Sequence, residues 1–303
     1  MLFCMHFLFF CGIIKMHNGN LLRFIHYRGK IILGGGMENI NLKDLELNCY
    51  KCQVGMYFSN IKQLDNGFIV YSDIVLDESW NFWTGFKTNT IDEFENSFCE
   101  AKKFFSLINR TPCFVIGQNT TLSPNVEKYI NSKYELFSDA VILATDTIIP
   151  CKQAENNMSF KRINNETESD LFVEVFKTSK TQTKVGDTYN KLPSYYFDAL
   201  YQSFQHKTDW QFVHYISMID NEPAGMVSCC IKDEWCGLYG GGTYLKHRGK
   251  GLFGTMLKHI EKEWKTKGVK YFFGITEKDS YNERLYNSIN IKTMFDNKYY
   301  KAK

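Results

Sequence analysis

Lys246-His247-Arg248-Gly249-Lys250-Gly251-Leu252-Phe253-Gly254 is the stretch whose reading decides the fold. Before it runs an apolar, glycine-broken segment, Leu238 to Leu245. After it, Leu252, Phe253, Met256, Leu257, Ile260 and Trp264 recur at helical spacing. A strand, a basic glycine-rich turn and a helix start in that order make an anion cradle. The first amides of a helix have no partner inside it, the helix dipole is positive at that end, and glycines let the backbone approach a phosphate closely. The spacing therefore predicts a site for a phosphorylated ligand.

Two phosphate loops are tested against it. The string G-x-x-x-x-G-K-[ST] is absent. Gly249 to Gly254 does match G-x-G-x-x-G, but that fingerprint belongs to a first βαβ unit with an acidic residue closing a second strand. Here the turn comes late, and the next strand candidate, Lys270 to Thr276, leads to Glu277 on a polar turn.

The segment resembles instead the acetyl-CoA loop of the GNAT acetyltransferase superfamily, [RQ]-x-x-G-x-[GA], with Arg248, Gly251 and Phe253 at its three fixed positions. Phe253 departs from the small residue usual there. Upstream, Gly241-Gly242-Thr243-Tyr244 looks like the strand end of that family. Downstream, Tyr271–Thr276 reads as a strand and Asp279–Ser288 as a short helix, with Leu285-Tyr286 where the family has Leu-Tyr. Asn290-Ile291 replaces its Gly-Phe. The resemblance covers residues 159–303.

It implies an α+β fold, a mixed, mostly antiparallel sheet flanked by helices. It also implies transfer of an acetyl group from acetyl-CoA directly to an amine, without a metal. Gly242 and Thr243 are expected to pair with the pantetheine arm. Arg248 and the backbone of Gly249, Lys250, Gly251, Leu252, Phe253 and Gly254 are expected to hold the pyrophosphate. Tyr286 is the expected general acid, because a phenol can return a proton to the leaving thiolate. Tyr281 is a weaker candidate. Asp233, Glu234 and His214 are the candidate bases. The expected acceptor is a small-molecule amine. A protein or peptide amine, and a non-catalytic acyl-CoA-binding module, are the alternatives.

Length and composition fit this reading. A chain of 303 residues, 44% hydrophobic and 16% aromatic, is large enough for two domains and unlike a disordered one. A net charge of +3 gives no reason to invoke nucleic acid. From Leu245 onward, 12 Lys and 2 Arg face 6 acidic residues, a balance that attracts an anion such as CoA. Ten cysteines show no framework spacing, and Cys49-x-x-Cys52 has no second pair for zinc. Reduced thiols point to the cytoplasm. The apolar run Leu2–Ile14 is too short to span a bilayer, so no membrane is expected. Gly34-Gly35-Gly36 before Met37 reads like an in-frame ribosome-binding site, so residues 1–36 are expected to be a non-native or disordered extension. The sequence leaves the oligomeric state open.

Residues 37–150 read as a second, smaller α/β domain. Strands are expected at Phe68–Ser72, Asp73–Leu76, Cys113–Ile116 and Val141–Ala144, with a helix opened by the capping box Thr90/Glu93 and another by Ser123-Pro124. This order resembles a degenerate repeat of the same acetyltransferase unit. Asp146–Asn157 is the expected linker. Trp80 and Trp83 are candidates for a substrate cleft between the halves.

Overall fold

The computed structural model describes residues 37, 40–152, 157–163, 165–181 and 192–303. The expected extension 1–36 lies outside them.

In the N-terminal half, α1 (Leu42–Lys51) is capped by Asn41, whose side chain accepts from Lys43 N. It is followed by β1 (Asn60–Gln63), β2 (Phe68–Tyr71), β3 (Phe82–Thr84), β4 (Lys87–Thr88), α2 (Ile91–Leu107), β5 (Cys113–Ile116), β6 (Thr121–Leu122), α3 (Pro124–Lys133) and β7 (Tyr134–Thr145). The C-terminal half has β8 (Met158–Ile163), α4 (Ser169–Thr181), α5 (Tyr195–Gln205), β9 (Gln211–Ile219), β10 (Glu222–Lys232), β11 (Trp235–Thr243), α6 (Leu252–Lys265), β12 (Tyr271–Glu277), α7 (Tyr281–Ser288) and β13 (Lys292–Ala302).

Two sequence expectations need correcting. Asp73–Leu76 is irregular chain rather than a strand. It is held by Asn81, whose side chain accepts from Ser72 N and donates to Val75 O, so side-chain bonds replace a ladder. The strand expected at Val141–Ala144 begins at Tyr134, because its first half is paired although less buried. Helix α1 is an addition that the sequence reading did not contain.

One eleven-stranded sheet runs through the molecule in the order β1-β2-β3-β5-β13-β7-β12-β11-β10-β9-β8. Its neighbours are antiparallel except β3–β5 and β11–β12. The two halves repeat one another about its centre. In each, a strand is followed by a crossover helix, a parallel strand, a second helix and a long strand. Those long strands change places. β7 of the N-terminal half pairs with β12, and β13 of the C-terminal half pairs with β5. β7 and β13 pair with each other from Ala144↔Lys292 to Tyr134↔Ala302.

Both sheet faces of the C-terminal half are covered, so its strands are apolar on both sides. Helices α1, α4 and α5 bury Leu45, Phe172, Phe176 and Leu200 against Ile216, Met226, Tyr239 and Phe273. On the other face, Met256, Leu257, Ile260 and Trp264 of α6 pack on Val213, Tyr215, Val227 and Leu238. Each of these side chains contributes about 1.5–3 kcal/mol when fully buried. A buried polar cluster ties α1 to the rest. Glu46 accepts from Tyr50 Oη at 2.9 Å and from Asn119 N at 2.7 Å, and Asn297 of β13 donates to Tyr50 Oη at 2.7 Å.

Among the described residues, no helix is long and apolar enough to cross a membrane.

Candidate active site

β11 and β12 pair only at Trp235–Gly237 against Tyr271–Phe273, then part. Beyond that point β11 bonds to β10, and β12 bonds to β7. The result is a fork whose inner edges carry backbone groups from Leu238 onward. Gly240 sits in the fork at φ 64° and makes a bulge, since Met226↔Gly242 and Ser228↔Tyr239 enclose unequal lengths of chain. Gly241 and Gly242 are required by close approach. A Cβ on Gly241 would lie 2.5 Å from the Phe253 ring, and one on Gly242 would lie 2.2 Å from Ser179 Oγ.

The loop follows at the end of the fork. Leu245–His247 form a 3-10 turn, and Gly251 is the N-cap of α6 at φ 80° without a side-chain cap. The first intrahelical bond is Thr255 N to Gly251 O at 3.1 Å, so the amides of Leu252, Phe253 and Gly254 precede it and are available to an anion. Gly249 and Lys250 are exposed. Arg248 is turned back into the protein. Its Nε donates to Thr243 O at 3.0 Å and its Nη2 to Ser179 O at 2.9 Å, so it ties the loop to β11 and α4.

The sequence reading missed two lysines at this site. Lys180, at the end of α4, donates to Gly241 O at 2.8 Å. Burial, with a smaller push from the charge of Arg248, lowers its pKa to about 8. Lys152 lies in the chain after β7. Its Nζ donates to Gly249 O at 3.1 Å, and a Cβ on Gly251 would meet its carbonyl oxygen at 2.8 Å. Ile149 N and Cys151 Sγ donate to Ile289 O and Ser288 O, so residues 146–152 form a strap across the ends of α6 and α7. Neither lysine belongs to a local motif. Both reach the loop only through the fold.

Tyr286, on α7, is half-buried and packs edge-to-face on Phe253 at 5.9 Å. Its hydroxyl has no hydrogen-bond partner among the described residues. Burial raises its pKa to about 12, which strengthens its hold on the proton. The Phe253 ring thus stands between Gly241 on one arm of the fork and Tyr286 on the other side. Tyr281 is exposed at the start of α7.

The candidate bases lie elsewhere. Asp233 and Glu234 are in the β10–β11 turn, at the opposite end of β11 from the loop, and Glu234 pairs with Lys270. His214 is buried among Phe172 and Phe204, 3.0 Å from both Ser203 Oγ and Ser228 Oγ. Ser203 gives its proton to Leu200 O, so it accepts from Nε2–H, and Nδ1 accepts from Ser228. Burial lowers the imidazole pKa to about 3 and keeps it neutral. Trp83 is core, stacked on Phe86 at 3.8 Å. Trp80 stands between the halves, bonded through Nε1 to Tyr196 Oη at 3.0 Å.

The equivalent place in the N-terminal half is closed. β3 and β5 form a parallel pair with a single registered contact, Trp83↔Phe114, but β4 and β6 bridge the opening beyond them. Trp83, Phe86, Phe94 and Phe98 fill the space. The start of α2 is closed by a capping box, in which Glu93 accepts from Asn89 N and Thr90 N, and Thr90 accepts from Glu93 N.

Among the described residues, no group of three or more His, Cys, Asp and Glu side chains is arranged to hold a metal ion.

No family model and no curated protein matches the sequence. Solved structures do match. A functionally unknown conserved protein from Staphylococcus epidermidis is 11% identical, with a TM-score of 0.62 over 88% of this chain and 98% of its own. A GCN5-related N-acetyltransferase from Kribbella flavida is 14% identical, with a TM-score of 0.58 over 86% and 93%. A tandem GNAT protein from the clavulanic acid biosynthesis pathway is 9% identical, with a TM-score of 0.52 over 78% of each chain. The fork, the uncapped helix start and these likenesses agree, and the fold of this chain is that of the GNAT superfamily, built from two halves.

Proposed function

We propose that the protein is an acetyl-CoA-dependent N-acetyltransferase acting on a small-molecule amine, with one site in the C-terminal half. The observation that carries this reading is the fork between β11 and β12 ending at the uncapped start of α6. A thioester arm fits along an unpaired strand edge, and a pyrophosphate fits the free amides behind it. Gly242 and Thr243 are the residues to pair with the arm, and Gly249 to Gly254 those to hold the phosphates. Lys250 and Lys152 add positive charge at the loop. Arg248 acts by holding the loop in place.

In the reaction the amine nitrogen forms a bond to the acetyl carbonyl carbon, the carbon–sulfur bond breaks, and the proton lost by nitrogen ends on the thiol. Tyr286 is the group proposed to donate to the leaving sulfur. Its raised pKa makes it a reluctant acid, suited to donate only as thiolate charge develops. The amine's proton passes to solvent, a route that needs no dedicated base.

Phe253 favours a second reading, a module that binds acyl-CoA without turning it over, since its ring crowds Gly241 and Tyr286. Turnover decides between them. Purified protein given acetyl-CoA and a mixture of small amines should release free thiol and yield acetylated amine by mass. Binding of acetyl-CoA without thiol release would support the second reading.

A further inference from the structure

Three aromatic rings from both halves meet over the fork, on the face opposite Phe253 and Tyr286. Tyr57 lies 4.8 Å from Trp80 and 6.2 Å from Tyr196 between ring centroids. Tyr57 is only 4% exposed, and its hydroxyl, which has no hydrogen-bond partner among the described residues, is not sealed from solvent and so is open to a ligand. That hydroxyl is aimed at the bulge, 3.3 Å from where a Cβ on Gly240 would stand. It therefore faces the stretch of β11 along which the thioester is proposed to lie.

Asp77 adds a second, independent observation. Its carboxylate accepts from Tyr195 Oη at 2.6 Å and from Tyr196 Oη. It is half-buried, and among the described residues it has no cationic partner. Each carboxylate oxygen can accept a further bond. A carboxylate without a counter-ion beside the faces of tryptophan and tyrosine is the chemistry that draws an organic cation out of water. Asp77, Trp80 and Tyr195 are all partly exposed, so the cluster is reachable from outside.

We propose that Tyr57, Trp80, Tyr196 and Asp77 form the acceptor site, and that it takes an alkyl- or aryl-ammonium compound lacking a carboxylate. This rests on the acetyl-transfer reading and deepens it. The rings hold the body of the acceptor, Asp77 attracts its positive charge and repels an acidic substituent, and the Tyr57 hydroxyl takes one N–H of the amine beside Gly240. Burial keeps the Tyr57 phenol protonated and neutral, so it can accept from the amine without gaining charge. The closed N-terminal half thus supplies the acceptor wall for the open C-terminal one.

The experiment uses the full chain, acetyl-CoA and two matched pairs, phenethylamine with phenylalanine and 1,5-diaminopentane with lysine. Thiol release gives kcat and KM, and titration gives the Kd for acetyl-CoA. The amine of each pair should exceed its amino acid in kcat/KM by about tenfold or more. Tyr57→Phe, which keeps the ring, should raise KM for the preferred amine about tenfold, the loss of about 1.4 kcal/mol, and leave the Kd unchanged. Asp77→Asn, which can accept from one tyrosine and donate to the hydroxyl of the other, should reduce the discrimination within each pair. A merely structural role would leave both parameters unmoved. The proposal is overturned if both variants keep wild-type KM and discrimination, if the amino acids are preferred, or if none of the four releases thiol from protein that binds acetyl-CoA. Folded protein that fails to bind acetyl-CoA at all would instead overturn the acetyl-transfer reading beneath it.

Discussion

Tyr286 and His214 show how one protein treats two titratable side chains differently. Among the described residues the Tyr286 hydroxyl has no partner, whereas His214 is sealed between two serines and two phenylalanines. Tyr286→Phe should lower kcat by 10-fold or more, at the lower end for loss of a general acid, while the Kd for acetyl-CoA stays the same. Unchanged kcat would remove the residue from the chemistry. For His214 the sign follows from its lowered pKa. The unfolded chain takes up a proton near pH 6.5 and the folded one only near 3, so the unfolded state binds more protons in between and stability falls as pH drops through that window. Between pH 7.5 and 4.5 this amounts to about 2–3 kcal/mol, and His214→Asn should flatten the fall in urea-unfolding midpoints. The place of Tyr286 on a short helix after a strand could be read from the sequence, because that element order is a local pattern. The neutrality of His214 could not, because the serines and rings that enforce it come from three other elements.

At the scale of elements, the strand, loop and helix from Trp235 to Lys265 behave as their residues predict. Glycines fall where a bulge or an uncapped helix start needs them, and the apolar spacing of α6 selects the buried face. The departure from the motif also has a visible consequence. Phe253, where a small residue was expected, lays its ring on Gly241 and against Tyr286. A thioester arm entering the fork must move that ring, which costs contacts and rotamer freedom. Phe253→Ala should therefore tighten acetyl-CoA binding, by about 3- to 10-fold for one displaced ring. Calorimetric titration reads the change, and weaker binding would mean that the ring supports the arm rather than obstructs it. The strap at 146–152 was legible only as a polar linker. That Lys152 reaches Gly249 depends on where β7 leaves the sheet.

The whole molecule is joined by its exchanged strands. Read from sequence, residues 159–303 form a domain of their own. In the structure β7, which precedes them, lies between β12 and β13 and bonds to both. A fragment of residues 159–303 would expose two unpaired edges flanking a gap, and such edges favour aggregation. It should be insoluble or should fail to bind acetyl-CoA, while the full chain folds cooperatively. A monomeric, folded fragment with intact binding would contradict this. Order and type of the elements were largely readable from local patterns, because periodicity, caps and prolines are local signals. The exchange of β7 and β13 was not. Neither strand carries a local signal for its neighbour, and only the packed sheet distinguishes the two pairings.

The central claim is that the fork and the start of α6 form one cofactor site. Titration of the full chain with acetyl-CoA, with NAD as control, tests it most directly. Micromolar binding of acetyl-CoA, no response to NAD, and loss of binding in Gly251→Asp, which sets a carboxylate at the anion cradle, are the predicted results. A folded wild-type protein that does not bind acetyl-CoA, or a Gly251→Asp variant that binds it as well as the wild type does, would contradict the account.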